Sequence, residues 1–141
     1  MGIQLACLFA IAVSVLMPSF ASADDAPDTH GVAPMVIYPP QPVPPNSVVR
    51  IAKLHIEPHG IVGRHCHSGD EIGIVTEGTV ILRVGNAEDE VKRRGEWFKV
   101  APGVQMTVRN DTDQAAQMYS VLVVDNDGEW LKHDPKNCLE K

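Results

Sequence analysis

The sequence has little that would take it to a nucleic acid or to an anionic membrane surface. Its 12 basic residues form no extended run and are outnumbered by 18 acids, giving a net charge of −6. A polyanionic partner calls for a basic patch or stripe. G-x-S-x-G, P-loop and Rossmann fingerprints are all missing, so no nucleotide cofactor has a visible site. There is no internal repeat, and no segment beyond the N-terminal stretch carries a helical apolar stripe. Only one long apolar run exists, and it lies within residues 1–23, which hold no Asp, Glu, Lys or Arg. Cysteine is scarce, with three copies in 141 residues.

What is present begins with that run. Residues 3–17 form an apolar core, Pro18 breaks it, and Ala21-Ser22-Ala23 offers a small-x-small cleavage site before Asp24. This is the pattern of a signal peptide, removed on export, and it predicts a periplasmic or secreted protein with no membrane span after cleavage. Cys7 leaves with the leader. Cys66 and Cys138 then remain in a compartment that permits disulfides, and the sequence leaves a bridge and two independent thiols as open alternatives.

The body divides into an arm (24–46), a foldable domain (47–125) and a tail (126–141). The arm is acidic, then carries six prolines between Pro34 and Pro45. Proline fixes φ and removes a donor, so the arm reads as extended chain lying along the domain or a partner, not as a sheet centre. From Ser47, β-type runs follow at 48–56, 71–76, 79–84, 88–94, 96–100, 104–109 and 116–124. Pro58-His59-Gly60, Gly78, Gly85-Asn86, Gly95 and Pro102-Gly103 punctuate them. Valine is the commonest residue, with 18 copies. Short strands at this spacing predict an all-β antiparallel sandwich or barrel. In the tail, Trp130 and Leu131 are the expected anchors against the domain.

The chemistry concentrates at His65-Cys66-His67-Ser68-Gly69-Asp70-Glu71. On an extended chain, residues two apart face one side. His65 and His67 therefore share a face, Cys66 points away, and Glu71 can close on the same point. Two imidazoles and a carboxylate are ligands for first-row metals and leave coordination positions open.

Here the sequence resembles the cupin family. The first family motif, G-x5-H-x-H-x3/4-E-x6-G, is met by His65, His67, Glu71 and Gly78, with its opening glycine one place late at Gly60, since His59 occupies the motif position. The second, G-x5-P-x-G-x2-H-x3-N, is met by Gly95, Gly103 and Asn110, with its proline one late at Pro102 and Met106 in place of the histidine. The resemblance covers roughly 47–125. It implies a small jelly-roll barrel with a divalent metal on His65, His67 and Glu71: Mn, Fe, Zn or Ni, or Cu if Met106 ligates. A small-molecule ligand or substrate is implied with it.

Met106 leaves three readings open. It fills the barrel interior beside a three-ligand metal, it ligates a soft metal, or the site is metal-free and polar barrel residues bind an organic ligand. Two functions compete accordingly. One is a metal-dependent dioxygenase, isomerase or lyase of small molecules. The other is a non-enzymatic module that binds or senses a metal or small ligand. Among other candidates, His55 and His59 read as surface histidines, Met118 as core, and Asp70, Glu77 and 88–90 as solvated positions. Arg64 and Arg109 would clamp an acidic ligand only if they faced inward. Adjacent Trp97 and Phe98 predict one core-facing ring and one on a second apolar surface, which suits a homodimer contact. Asn110-Asp111-Thr112 matches a glycosylation sequon, but Asn110 is also the motif asparagine.

Overall fold

The computed structural model describes residues 29–33, 36–38, 41–43, 46–125, 130–132 and 135–140. The leader, residues 24–28 and five of the six arm prolines lie outside these. Among the described residues the chain is all-β, and the only helical piece is a 3-10 turn at Pro135–Asn137. Three short strands come first: β1 (His30–Val32), β2 (Val36–Ile37) and β3 (Gln41–Val43). Then follow β4 (Ser47–His67), β5 (Asp70–Glu77), β6 (Thr79–Val84), β7 (Glu90–Arg93), β8 (Trp97–Val100), β9 (Met106–Arg109), β10 (Ala116–Asp125) and β11 (Leu131–Lys132). The main path runs β7-β6-β9-β4-β10-β5-β8, and every strand pair is antiparallel. It rolls into a nearly closed seven-strand jelly-roll barrel.

The period-2 burial of the strands makes this barrel. Along β10, Ala116, Met118, Ser120, Leu122 and Val124 are buried while their neighbours are not. In β8, Phe98 is 4% exposed and Trp97 63%. The inward set of β4 to β10 forms one core around Ile56, Val75, Val80, Leu82, Val108 and Met118. Burying each such side chain contributes roughly 1.5–3 kcal/mol. A smaller cluster of Val48, Leu122 and Val124 is capped by Trp130 from the tail.

The sequence reading ends a strand at Pro58-His59-Gly60. Instead β4 continues through it and runs 21 residues in all. Its first half pairs with β10, up to Ile56, and its second half with β9, from Ile61. The proline triplet is the corner at which one strand passes between the two faces of the barrel. His59 sits in the left-handed region, at φ 59°, where glycine is the easy occupant. Gly60 serves a different need: a Cβ there would lie 2.4 Å from the carbonyl oxygen of Gly31 where β1 crosses β4. Asn110 clips this corner. Its side-chain amide donates to the carbonyls of Ile56, Glu57 and Gln114, and its backbone N–H donates to Gly60.

The described arm strands pair antiparallel along β4. The tail returns to the same strand, with Leu131 opposite His67 and Lys132 opposite Cys66. Cys66 and Cys138 form a disulfide, with Cα atoms 5.8 Å apart.

Candidate metal centre

Inward parity on the first half of β4 is even: Val48, Ala52, Leu54 and Ile56 are buried. Carried forward, it would turn His65 and His67 outward. A bulge prevents this. Val62 is paired with Val108 and His65 with Met106, so two residues of β4, Gly63 and Arg64, face one of β9. A bulge of this kind shifts the side-chain alternation by one. After it, His65 and His67 point inward, 6% and 7% exposed. Glu71 enters on β5, opposite Leu122 of β10, and is 1% exposed.

The three ligand atoms of His65, His67 and Glu71 all lie within 4.8 Å of one another. Each imidazole is oriented by its other nitrogen. His65 Nδ1 is 2.8 Å from the Gly63 carbonyl oxygen and His67 Nδ1 is 3.1 Å from that of Trp130. Carbonyls only accept, so both Nδ1 atoms carry the hydrogen and both Nε2 atoms present lone pairs. His67 Nε2 stands 3.3 Å from Glu71 Oε2. That oxygen is buried without a hydrogen-bond partner among the described residues. Its twin, Oε1, accepts a short hydrogen bond from the Ser120 hydroxyl. When a proton rather than a cation sits on His67 Nε2, burial raises the Glu71 carboxyl pKa, but that imidazolium, the Ser120 hydroxyl and the more distant His65 outweigh it and hold the group below its ordinary value. In the neutral ring the same Nε2 lone pair is open to a cation. Converging lone pairs around an unpartnered carboxylate oxygen form a donor set that a cation satisfies, so the residues fit a divalent metal.

The cavity above these groups measures about 110 Å³. Apart from His65, His67, Glu71, Ser120 and Thr29, every lining side chain is apolar, Trp130 aside from its indole N–H. The reading in which polar barrel residues bind an organic ligand does not describe this interior. Met106 lines the cavity from β9, opposite His65, and is packed in the core cluster. Trp130 stacks on His67 with ring planes 7° apart.

The remaining candidates lie elsewhere. His55 faces Glu57 and His59 faces Asp113, both at the surface. Met118 is core. Asp70 pairs with Lys99, and Glu77 accepts from Gln117. Arg109 is held by Asp89 and Asp111 outside the cavity. Arg64 lines a separate polar cleft with Arg83 and Gln105. Neither arginine clamps the site. Asn110 is fully buried, so its amide is committed to the β4 corner. The sequence reading passed over Ser120 and Arg50 and took Trp130 only as an anchor of the tail. Ser120 and Arg50 carry an inward parity that the alternation of β10 and β4 would have revealed. The part played by the Trp130 carbonyl has no signal in sequence.

Among known proteins, the Cupin domain family model matches residues 52–124. No curated protein sequence matches the chain. Solved structures resemble it in fold. A conserved protein with a double-stranded β-helix domain from Klebsiella pneumoniae subsp. pneumoniae aligns with a TM-score of 0.58 at 18% identity, over 84% of this chain and 99% of that one. An oxalate oxidase aligns with a TM-score of 0.55 at 20% identity, over 66% of this chain, which spans 57% of that enzyme's length. A cupin superfamily protein from Desulfitobacterium hafniense aligns at 0.52 and 10% identity, over 64% and 78% of the two chains. At these identities the likeness is one of fold. The family match takes in more than half of the chain and the barrel strands from Ala52 to Val124, and the chain belongs to the cupin family.

Proposed function

We propose that this protein is an exported cupin that holds one divalent metal through His65, His67 and Glu71 and presents it to a small organic ligand. The observation that carries this is the unpartnered Glu71 Oε2 facing two imidazoles whose Nδ1 atoms are already committed to backbone carbonyls. A divalent ion bound there supplies Lewis-acid polarisation of a ligand oxygen. The chain supplies the rest. Ser120 fixes one carboxylate oxygen, Gly63 and Trp130 fix the ring orientations, and the apolar walls exclude water.

The preferred ions are Mn, Fe, Zn or Ni, with Met106 as wall. Copper is preferred only if the Met106 thioether ligates, because that donor suits Cu(I) and not Mn²⁺ or Fe²⁺. Nucleic acid and membrane surfaces are not partners in this reading. The outer face that carries Trp97, Ile72 and Ile74, which are 63%, 46% and 40% exposed, is proposed as a homodimer contact.

Metal analysis after reconstitution, beside the His65→Ala/His67→Ala variant, tests the proposal. The parent is expected to retain about one equivalent and the variant almost none. Less than about a tenth of an equivalent in the parent overturns it. Met106→Leu is expected to leave that stoichiometry unchanged, and a copper preference lost in Met106→Leu would move Met106 into the ligand set.

A further inference from the structure

We infer that the cavity takes a ligand with a single oxygen- or sulfur-donor end on an uncharged apolar body, and discriminates against dicarboxylates. The donor end rests on the metal reading above, whereas the body rests on the walls alone. A divalent ion with one carboxylate and two neutral imidazoles leaves one positive charge. A single monoanion neutralises it. A second carboxylate would lie against Leu54, Val108, Met118 and Leu122, and an ionised group buried without a partner is strongly disfavoured.

The other polar lining atoms offer such a group little. The Ser120 hydroxyl donates to Glu71. The Thr29 hydroxyl accepts from the Gly63 N–H at 2.8 Å, so its one O–H and the Trp130 indole N–H are neutral donors that carry no charge to balance a second carboxylate. Among the described residues, no Lys or Arg lines the cavity. Arg50 is a cation on the inward side of β4. It sits opposite Leu122 on the inner face of β4, and its Nε is buried without a hydrogen-bond partner. Its guanidinium, however, lies over the Trp130 ring at 5.7 Å and outside the lining. Size sets the remaining limit. A dry cavity of about 150 Å³ holds benzene, so about 110 Å³ holds a body of a few heavy atoms.

Two four-carbon probes separate the cases. Protein loaded with Co²⁺ is titrated with isobutyrate and with succinate, and the visible spectrum of the ion is read. Isobutyrate is expected to act with a midpoint at least about tenfold lower, a difference of roughly 1.4 kcal/mol or more. Equal or tighter binding of succinate overturns the inference, and its loss in Arg50→Gln would assign the reversal to that side chain. The walls are read without metal. In metal-free protein carrying Trp97→Phe, xenon, a single apolar atom within the size limit, is expected to quench Trp130 emission and raise the melting temperature. No response to xenon overturns the inference even where Co²⁺ binds. A xenon response without Co²⁺ uptake supports the apolar site and overturns the metal proposal.

Discussion

Asn110 shows how much one side chain settles. Its fully buried amide satisfies the Ile56 and Glu57 carbonyls ahead of the β4 corner, its backbone N–H donates to Gly60 within it, and its Oδ1 accepts from the Thr112 N–H and hydroxyl. Asn110→Ala leaves buried acceptors without donors and is expected to cost about 1–3 kcal/mol for those acceptors, read as a lower urea midpoint with unchanged m. The same burial resolves the sequon, because an amide holding a corner is not free to carry a glycan. At the surface, Arg109 and Arg83 hydrogen-bond Asp89 and hold its carboxyl at about 2. A depressed carboxyl stabilises the fold fully above its unfolded pKa and loses that contribution as pH falls through the folded one. Between pH 4 and 2, Asp89→Asn is expected to lose less stability than the parent. The difference, read by thermal melts, should stay under about 1 kcal/mol because the cluster is solvent-screened.

At the scale of elements, β4 decides most of the architecture. The alternation of 48–56 was legible in its second half, where Ala52, Leu54 and Ile56 alternate with Lys53 and His55. The corner was not, because proline and glycine usually mark ends, and here they mark a bend held by Asn110 and β1. Nor was the bulge. The shared face of His65 and His67 follows from local spacing, but its inward direction comes from two residues of β4 standing against one of β9. The tail was legible only as an anchor. Its docking depends on β11 pairing, on the Trp130 carbonyl and on the Cys66–Cys138 bridge, all long-range. Cys66→Ser/Cys138→Ser is expected to cost about 2–4 kcal/mol in urea melts. It should also weaken Co²⁺ binding, by about tenfold or more, because the orienting carbonyl of His67 rides on the released segment. Unchanged Co²⁺ affinity in the variant would mean that β11 pairing alone keeps the tail in place.

For the molecule as a whole, the barrel was readable because alternation, turn residues and the spaced H-x-H-x3-E and G…G…N motifs agreed. The character of its interior was not. Single-residue positions such as Leu54 and Val108 become cavity walls only when the two faces roll together, so the sequence left the three readings of Met106 open and the apolar lining does not match the polar one. Outside, Trp97 stands opposite Ile74, which in turn stands opposite Tyr119, so one apolar row crosses three strands. If the proposed dimer forms on this row, Trp97→Lys is expected to shift sedimentation from dimer to monomer while leaving the monomer's melt nearly unchanged. A monomeric parent would remove the dimer.

The bridge between Cys66 and Cys138 closes a covalent ring with a sequence separation of 72. His67, Glu71, Met106, Ser120 and Trp130 all lie inside that ring, and His65 is joined directly to it. A protease that nicks the backbone anywhere within the ring therefore leaves a single covalent molecule, with the groups of the metal centre still tethered to one another. Detaching them takes two separate events, a cut and a reduction.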